Sequence, residues 1–307
     1  MNSTPNFFIP HTWATTSIQD SLASDNPTLQ VESKPTQLVN TNVADITNPK
    51  IAHWNDFDLD SLRQAYGDLL EQHPVPRVAS SHSPLKVNGL TDLKKVFVDH
   101  VFPRLMQPIK TGATVLGGRL GDILPDVSMC KDTLVERRYR SALSLMSDNG
   151  VHYLVSCVLL ETQWTSAMVE STNSGAVACL PLRRVAAYCL STNTRYGFVL
   201  TPGEIVVVRV SGTAYDKTQP CLIEWKAVPW NASGPNTLTV SLSLWFIAMM
   251  SLNPTHRVLC PPGTAPPVNL WWKYKDPAGT VIYQHHLSLR QVLAPPAGVT
   301  VHDTSSA

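Results

Sequence analysis

The feature that most constrains the fold is an alternation of short apolar strands with helices in the second half of the chain. Two predicted helices, residues 176–190 and 238–252, interrupt the strands. This alternation predicts an α/β fold over roughly residues 85–255. The predicted strands are rich in Val, Ile, Leu and aromatic residues and span residues 153–160, 196–200, 204–210 and 221–228.

The composition divides the chain into a central domain and two extended ends. Residues 1–55 are rich in Ser, Thr, Asn and Pro and show no hydrophobic period, which predicts a disordered or loosely ordered arm. The residues from 261 to 307 are again rich in proline, which predicts an extended tail. Between them, residues 56–260 are expected to form a single α/β domain.

Two helices are predicted before the strands begin. Leu62, Tyr66, Leu69 and Leu70 recur at helical spacing, and Asp58 or Asp60 precedes them as a capping residue. A second helix is expected to start at Thr91 and to bend or end near Pro103. The glycine-rich run from Gly112 to Gly121 follows, without the Gly-Lys-Ser or Gly-Lys-Thr ending that a phosphate loop requires.

Charge and targeting signals exclude several classes of protein. The formal net charge is +1, so any nucleic-acid site must be a local patch. The first residues contain neither a basic region nor an apolar segment of the signal-peptide type. The longest apolar stretch is about 11 residues, against about 20 for a membrane span. We therefore expect an intracellular protein without a membrane contact, and nucleus and cytoplasm remain alternative locations.

Two acidic residues in the α/β region could hold a metal ion. Asp126 follows Pro125, and Glu161 ends the apolar strand that precedes it. Side chains alternate along a strand, so Glu161 and Gln163 project from the same face. Two acids on neighbouring strands are what a hard cation such as Mg²⁺ requires, with water and phosphate completing its coordination.

The order of these elements resembles the restriction-endonuclease-like superfamily with its PD...(D/E)-x-K signature. A helix, the Pro125-Asp126 pair, a strand ending at Glu161, a further helix and further strands follow one another in the order that the superfamily shows. More narrowly, the segments at residues 195–201, 204–209 and 228–230 are similar to a group of uncharacterised filamentous-fungal proteins predicted to carry that fold. The resemblance covers roughly residues 120–250 and implies a mixed central sheet flanked by helices, with the Pro-rich termini extending from it.

The resemblance also implies a site, and that site is degenerate. Asp126 and Glu161 match the metal-binding acids, whereas Gln163 occupies the position of the catalytic lysine. A neutral amide cannot supply the positive charge that stabilises the transition state. On the following helix, Tyr188 fits the aromatic position and Arg184 stands where a glutamine is usual. Arg184, Tyr188 and Arg195 are therefore candidate binding residues. Lys131, Arg184 and Arg195 are candidate replacements for the missing lysine.

Three functions follow as alternatives. The leading one is a non-catalytic binding or accessory role on a degenerate nuclease-like core. The second is a Mg²⁺-dependent nuclease in which Asp126 and Glu161 hold the metal ion, the cofactor that a working carboxylate site would take. The third is a scaffold or accessory protein of a fungal pathway that binds a protein partner through the Pro-rich arms. The first two predict that the carboxylates of Asp126 and Glu161 converge on adjacent strands.

Other motifs favour structural interpretations. Glu224-Trp225-Lys226 is a literal Glu-x-Lys, and an exposed cross-strand charge pair is the simpler interpretation. His285-His286 lacks a third ligand and is expected at the surface or in the tail. A basic group could contact nucleic acid through phosphates, although the solvated face of a short helix is the favoured interpretation of Arg137 and Arg138. That group comprises Arg137, Arg138, Arg140, Arg183 and Arg184.

Overall fold

The computed structural model describes residues 14–32, 46, 49–78, 83–136, 139–171 and 177–304. The helices of these residues are α1 Ile18–Leu22, α2 Leu59–Gln72, α3 Leu90–Val96, α4 Phe102–Leu120, α5 Ala167–Glu170, α6 Leu180–Thr192, α7 Val240–Leu252 and α8 Pro254–Arg257, with a π-helical turn at Phe97–Val101. The strands are β1 Thr15–Ser17, β2 Leu29–Val31, β3 Lys50–His53, β4 Pro74–Pro76, β5 Leu85–Val87, β6 Val127–Glu136, β7 Tyr139–Ser147, β8 His152–Val158, β9 Tyr196–Leu200, β10 Glu204–Ser211, β11 Leu222–Pro229, β12 Leu270–Lys275, β13 Val281–His285, β14 Gln291–Val292 and β15 Thr300–Asp303.

A seven-stranded mixed sheet forms the centre of the fold, in the order β3-β11-β10-β9-β8-β7-β6. Strands β6, β7 and β8 form an antiparallel meander, and helix α6 connects β8 to its parallel neighbour β9. Strands β10 and β11 continue antiparallel, and β3 closes one edge in parallel with β11. The chain is therefore a mixed α/β protein.

Helices cover both faces of this sheet. Alternate residues of β10 point to opposite sides, so Val206 and Val208 pack with α6 while Ile205 and Val207 pack with α7. A strand covered on both faces is apolar at nearly every position, and this explains why β10 is a continuous apolar run. Helix α7 is buried at every position, so its sequence shows no amphipathic period.

The helices of the first half differ in part from the prediction. Asp58 caps α2 as predicted, and its Oδ1 accepts from the backbone N–H of Ser61 at 2.8 Å. The predicted cap at Thr91 is wrong, because α3 begins at Leu90 after Gly89. The glycine-rich run forms the second half of α4, and Gly121 caps it. A Cβ at Gly112 would lie 2.6 Å from Met249 Sδ of α7. Glycine there allows the two helices to approach closely.

The predicted terminal arms are wrong for the residues that the structure describes. Within the supposed arm of residues 1–55, β3 is a strand of the central sheet and Trp54 is fully buried. Residues 261–307 were expected to form an extended tail, but they contribute a four-stranded sheet in the order β14-β13-β12-β15. We call this the C-terminal sheet. Its Trp271 has no exposed surface, so burial against the rest of the fold holds it in place.

Candidate functional site

Asp126 lies in the segment between α4 and β6. Gly121 ends α4 with a φ of 69°, and the chain then turns towards the first strand of the meander. The Asp126 side chain is 81% exposed, and its Oδ1 lies 4.0 Å from Lys110 Nζ. Both residues line an open groove of about 470 Å³ between α4 and this segment. An exposed pair of this kind contributes little stability and leaves the carboxylate hydrated.

Glu161 lies in the turn after β8, at another end of the sheet. A Cβ at Gly203 would lie 3.2 Å from the Glu161 carboxyl carbon, so the carboxylate lies directly against the β9–β10 turn. The carboxylate of Glu204, next to Gly203, accepts from the backbone N–H of Ser166 at 2.6 Å and from its hydroxyl at 2.7 Å. Glu204 therefore fixes the position of Ser166, in the segment that follows Glu161.

The structure does not bring Asp126 and Glu161 together, so the predicted convergence on adjacent strands is wrong. Val127 lies opposite Ser147, and Met146 lies opposite His152, so Asp126 is at the end of the sheet where β8 begins. Glu161 follows Val158, where β8 ends. Six steps of about 3.3 Å along β8 separate the two ends by about 20 Å. One metal ion cannot contact both carboxylates.

Gln163 has a structural role in the same turn as Glu161. Its Oε1 accepts from the backbone N–H of Leu160 at 2.9 Å, and its own N–H donates to the Leu160 carbonyl at 2.9 Å. This amide therefore closes the turn that ends β8. The Gln163 side chain thus satisfies a backbone N–H group at the end of β8.

Arg184 and Tyr188 lie together on α6, where they face Cys157 of β8. Arg184 Nη1 lies 3.8 Å from Cys157 Sγ. Burial raises the pKa of the Cys157 thiol, and Arg184 offsets only part of that effect. Burial also raises the pKa of Tyr188, which is 5% exposed. The thiol is therefore protonated at neutral pH and is a packing group rather than a nucleophile.

The candidate arginines that the structure describes make contacts within the protein, whereas Lys131 is exposed on β6. Arg195 is 4% exposed, and its Nε and Nη2 donate to the Val258 carbonyl at 3.1 and 2.7 Å. Arg183 Nη2 donates to the carbonyl of Ile46, and Arg140 Nη1 donates to that of Asp132. Arg137 and Arg138 lie outside the described residues. The described arginines of the predicted basic patch thus serve the fold.

Glu224 of the literal Glu-x-Lys motif forms a cross-strand ion pair with Arg209, and this pair lies in the protein interior. The Arg209 side chain is 7% exposed, and its Nε and Nη2 donate to the two Glu224 oxygens at 2.7 and 2.8 Å. Burial alone would lower the pKa of Arg209, but Glu224 and Asp56 outweigh it and raise the pKa. The guanidinium also lies 4.7 Å from the Trp54 ring centroid. The expectation of an exposed pair is wrong.

A buried histidine cluster was missed from the sequence. His285 and His286 were expected at the surface, yet they are 0% and 6% exposed. The ring centroid of His286 lies 4.7 Å from that of His256 and 5.1 Å from that of His285. Their placement depends on the C-terminal sheet packing against α2 and α8, which no local pattern predicts.

No metal site and no membrane span are found in the part of the chain that the structure describes. Within those ranges, no group of three or more His, Cys, Asp or Glu side chains is arranged to hold a metal ion. None of the described helices combines the length and hydropathy needed to cross a bilayer. The chain matches no protein-family model, no curated protein and no solved structure.

Proposed function

We propose that this chain is a non-catalytic binding or accessory protein built on a mixed α/β core whose element order resembles that of the restriction-endonuclease-like superfamily. The element order supports this resemblance: helix α4, the Pro125-Asp126 pair, strand β8, helix α6 and the parallel strand β9 follow one another as implied, with β6 and β7 added before β8. A mixed central sheet with α6 on one face and α7 on the other also fits that expectation.

The separation of Asp126 from Glu161 across the length of β8 supports a role without nuclease catalysis. Two-metal or one-metal hydrolysis of a phosphodiester needs carboxylates on a common ion. The central strand offers no replacement, because β8 has the sequence His-Tyr-Leu-Val-Ser-Cys-Val and is buried throughout. Ser156 of this strand is used to bond the Leu143 backbone of β7.

The arginine contacts argue against a nucleic-acid partner at the predicted basic patch. Nucleic-acid affinity comes largely from Lys and Arg contacts to phosphates. In the described residues, Arg140, Arg183 and Arg195 donate to backbone carbonyls, and Arg184 contacts Cys157. The formal net charge of +1 adds no compensating field.

The proposal is tested with labelled single- and double-stranded DNA and RNA and the purified full chain, in Mg²⁺ or Mn²⁺. We expect no cleavage of these nucleic acids. We also expect no binding, measured by fluorescence anisotropy, whose affinity rises steeply as the salt concentration is lowered. Asp126→Ala and Glu161→Ala are matched variants, because both carboxylates are at the surface and neither change disturbs the core. Metal-dependent cleavage by the parent chain that both variants abolish would overturn the proposal.

A further inference from the structure

His256, His285 and His286 join the C-terminal sheet to the rest of the protein. His256 lies in α8, directly after the central helix α7, and His285 and His286 lie at the end of β13. The His285 ring also contacts Tyr66 of α2, with centroids 6.5 Å apart, and Trp271 of β12, with centroids 5.1 Å apart. These rings therefore fill the seam between the C-terminal sheet and the helices beneath it.

The hydrogen bonds of His285 fix it in the neutral form. Its Nδ1 accepts from the backbone N–H groups of Leu287 and Ser288 at 3.2 and 3.4 Å. Since Nδ1 is an acceptor, the proton must reside on Nε2, which donates to the Val268 carbonyl at 2.8 Å. Protonation would place a hydrogen on Nδ1 against two backbone donors. The turn that follows β13 would then lose its acceptor.

In the part of the chain that the structure describes, no hydrogen-bond acceptor is placed to bond a second proton on His286 or His256. Among the described residues, neither ring nitrogen of His286 has a hydrogen-bond partner, and Nδ1 of His256 has none either. His256 Nε2 donates to the His286 carbonyl at 3.1 Å, so this hydrogen bond also links the two residues. A charge on either buried ring, with no acceptor placed to bond it, destabilises the docked state.

The charged groups around the seam are mainly cationic. The acids near them are already paired: Asp68 bonds Arg119, and Glu224 and Asp56 flank Arg209. The Pro267 and Val268 carbonyls near His286 offset only part of the cost. The facing groups are Tyr66 from α2, Arg119 from α4, Arg195 beside β9, Arg209 from β10 and Arg290 from the turn after β13.

Burial and these cations lower the pKa of all three histidines. Burial, the largest cause, lowers the pKa of His256 to about 4, with Arg195 adding to it. It lowers the pKa of His285 to about 3 and that of His286 well below 6.5. Each ring therefore stays neutral while docked and takes up a proton when it is released into water below about pH 6.5.

We propose that His256, His285 and His286 form an acid-released clasp, which holds the C-terminal sheet against the protein at neutral pH and frees it as the pH falls. Release is a partial opening rather than global unfolding. The central sheet and α7 have their own core, and among the described residues after 260 its buried members are Val268 and Leu287, which flank the strands of the C-terminal sheet. This inference does not depend on the proposed function.

Hydrogen exchange read by mass spectrometry tests the clasp in the full chain between pH 7.5 and pH 4.5. After correction for the intrinsic pH dependence of exchange, the opening constant of residues 267–292 is expected to rise up to tenfold per pH unit for each histidine below about pH 6. Peptides of β9, β10 and α7 are expected to stay protected. Equal loss of protection in both regions, or constant protection of residues 267–292, would overturn the proposal.

His286→Leu separates the clasp from general acid sensitivity. This change removes a titrating ring that makes no side-chain hydrogen bond among the described residues, so we expect a shallower pH dependence by about one proton. His256→Gln, which keeps a donor towards the His286 carbonyl, is a second variant if the first disturbs folding. His302→Gln is the matched control, because His302 lies on the same sheet and is exposed. An unchanged pH slope in both clasp variants would contradict the proposal.

Discussion

The Arg209–Glu224 pair permits a quantitative test of whether the Glu-x-Lys motif is structural. In Glu224→Gln the neutral amide keeps the shape of the side chain and one hydrogen bond, but it removes the charge that balances a guanidinium only 7% exposed. Breaking one side of a buried ion pair costs about 3 to 5 kcal/mol. Asp56 remains 3.9 Å from Arg209, so we expect the lower end, about 3 kcal/mol.

Urea denaturation followed by tryptophan fluorescence measures this loss, provided that the m-value is unchanged. Lys226→Gln is the matched control, because Lys226 lies two residues along the same strand and forms no ion pair among the described residues. Its effect should be within about 0.5 kcal/mol. A loss below about 1 kcal/mol in Glu224→Gln, or a gain in stability, would refute a structural role for the pair.

The remaining predictions concern acid, glycine positions and catalysis. Because His256 and His285 have folded-state pKa values of about 4 and about 3, below their unfolded values, the unfolded chain binds more protons under acidic conditions. Stability is complete above about pH 6.5 and is lost below it, by about 2 kcal/mol per ring at pH 5, which urea titrations at both pH values measure. Gly197→Ala should destabilise the protein by about 1 to 3 kcal/mol, since the new Cβ would lie 2.6 Å from the Val155 carbonyl oxygen. Gly118→Ala, in open space within α4, should stabilise it by about 0.5 to 1 kcal/mol, and thermal unfolding of both distinguishes them. Gln163→Lys restores the literal Glu-x-Lys but should not create metal-dependent cleavage of DNA; any cleavage would contradict the separation of the acids.

The elements that can be predicted from the sequence are those that are buried along their whole length and therefore appear as continuous apolar runs. Strand β9 was predicted with its observed bounds, Tyr196–Leu200, and α7 was predicted within two residues of its start. Continuous apolar runs of these lengths are buried strands and helices in almost any context. The glycine-rich half of α4 was not recognised as helix, because its stability comes from the close approach of α7 rather than from local propensity.

The candidate site failed because a hairpin was not predicted. Strands β6 and β7 have mixed polar and apolar residues, since β6 is an edge strand exposed on one side. Without them, Asp126 was assigned to a strand next to that of Glu161. The inserted hairpin makes β6 and β8 run in the same direction, so Asp126, before one strand, and Glu161, after the other, lie at opposite ends.

The terminal elements could not be predicted because their partners are remote in sequence. Strand β3 is four residues long and pairs with β11, which begins at Leu222. Trp271 and His285 acquire their burial only when the C-terminal sheet packs on α2 and α8. Short strands of this kind carry weak local signals, and only long-range pairing and burial stabilise them.

The measurement that tests the central claim most directly is a calorimetric titration of the full chain with Mn²⁺, repeated with Asp126→Ala and Glu161→Ala. The account predicts no saturable binding that depends on either carboxylate, because the two lie about 20 Å apart and Gln163 closes a turn. Saturable binding by the parent chain that each variant abolishes would mean that the two acids share an ion. It would contradict both the sheet register and the non-catalytic assignment.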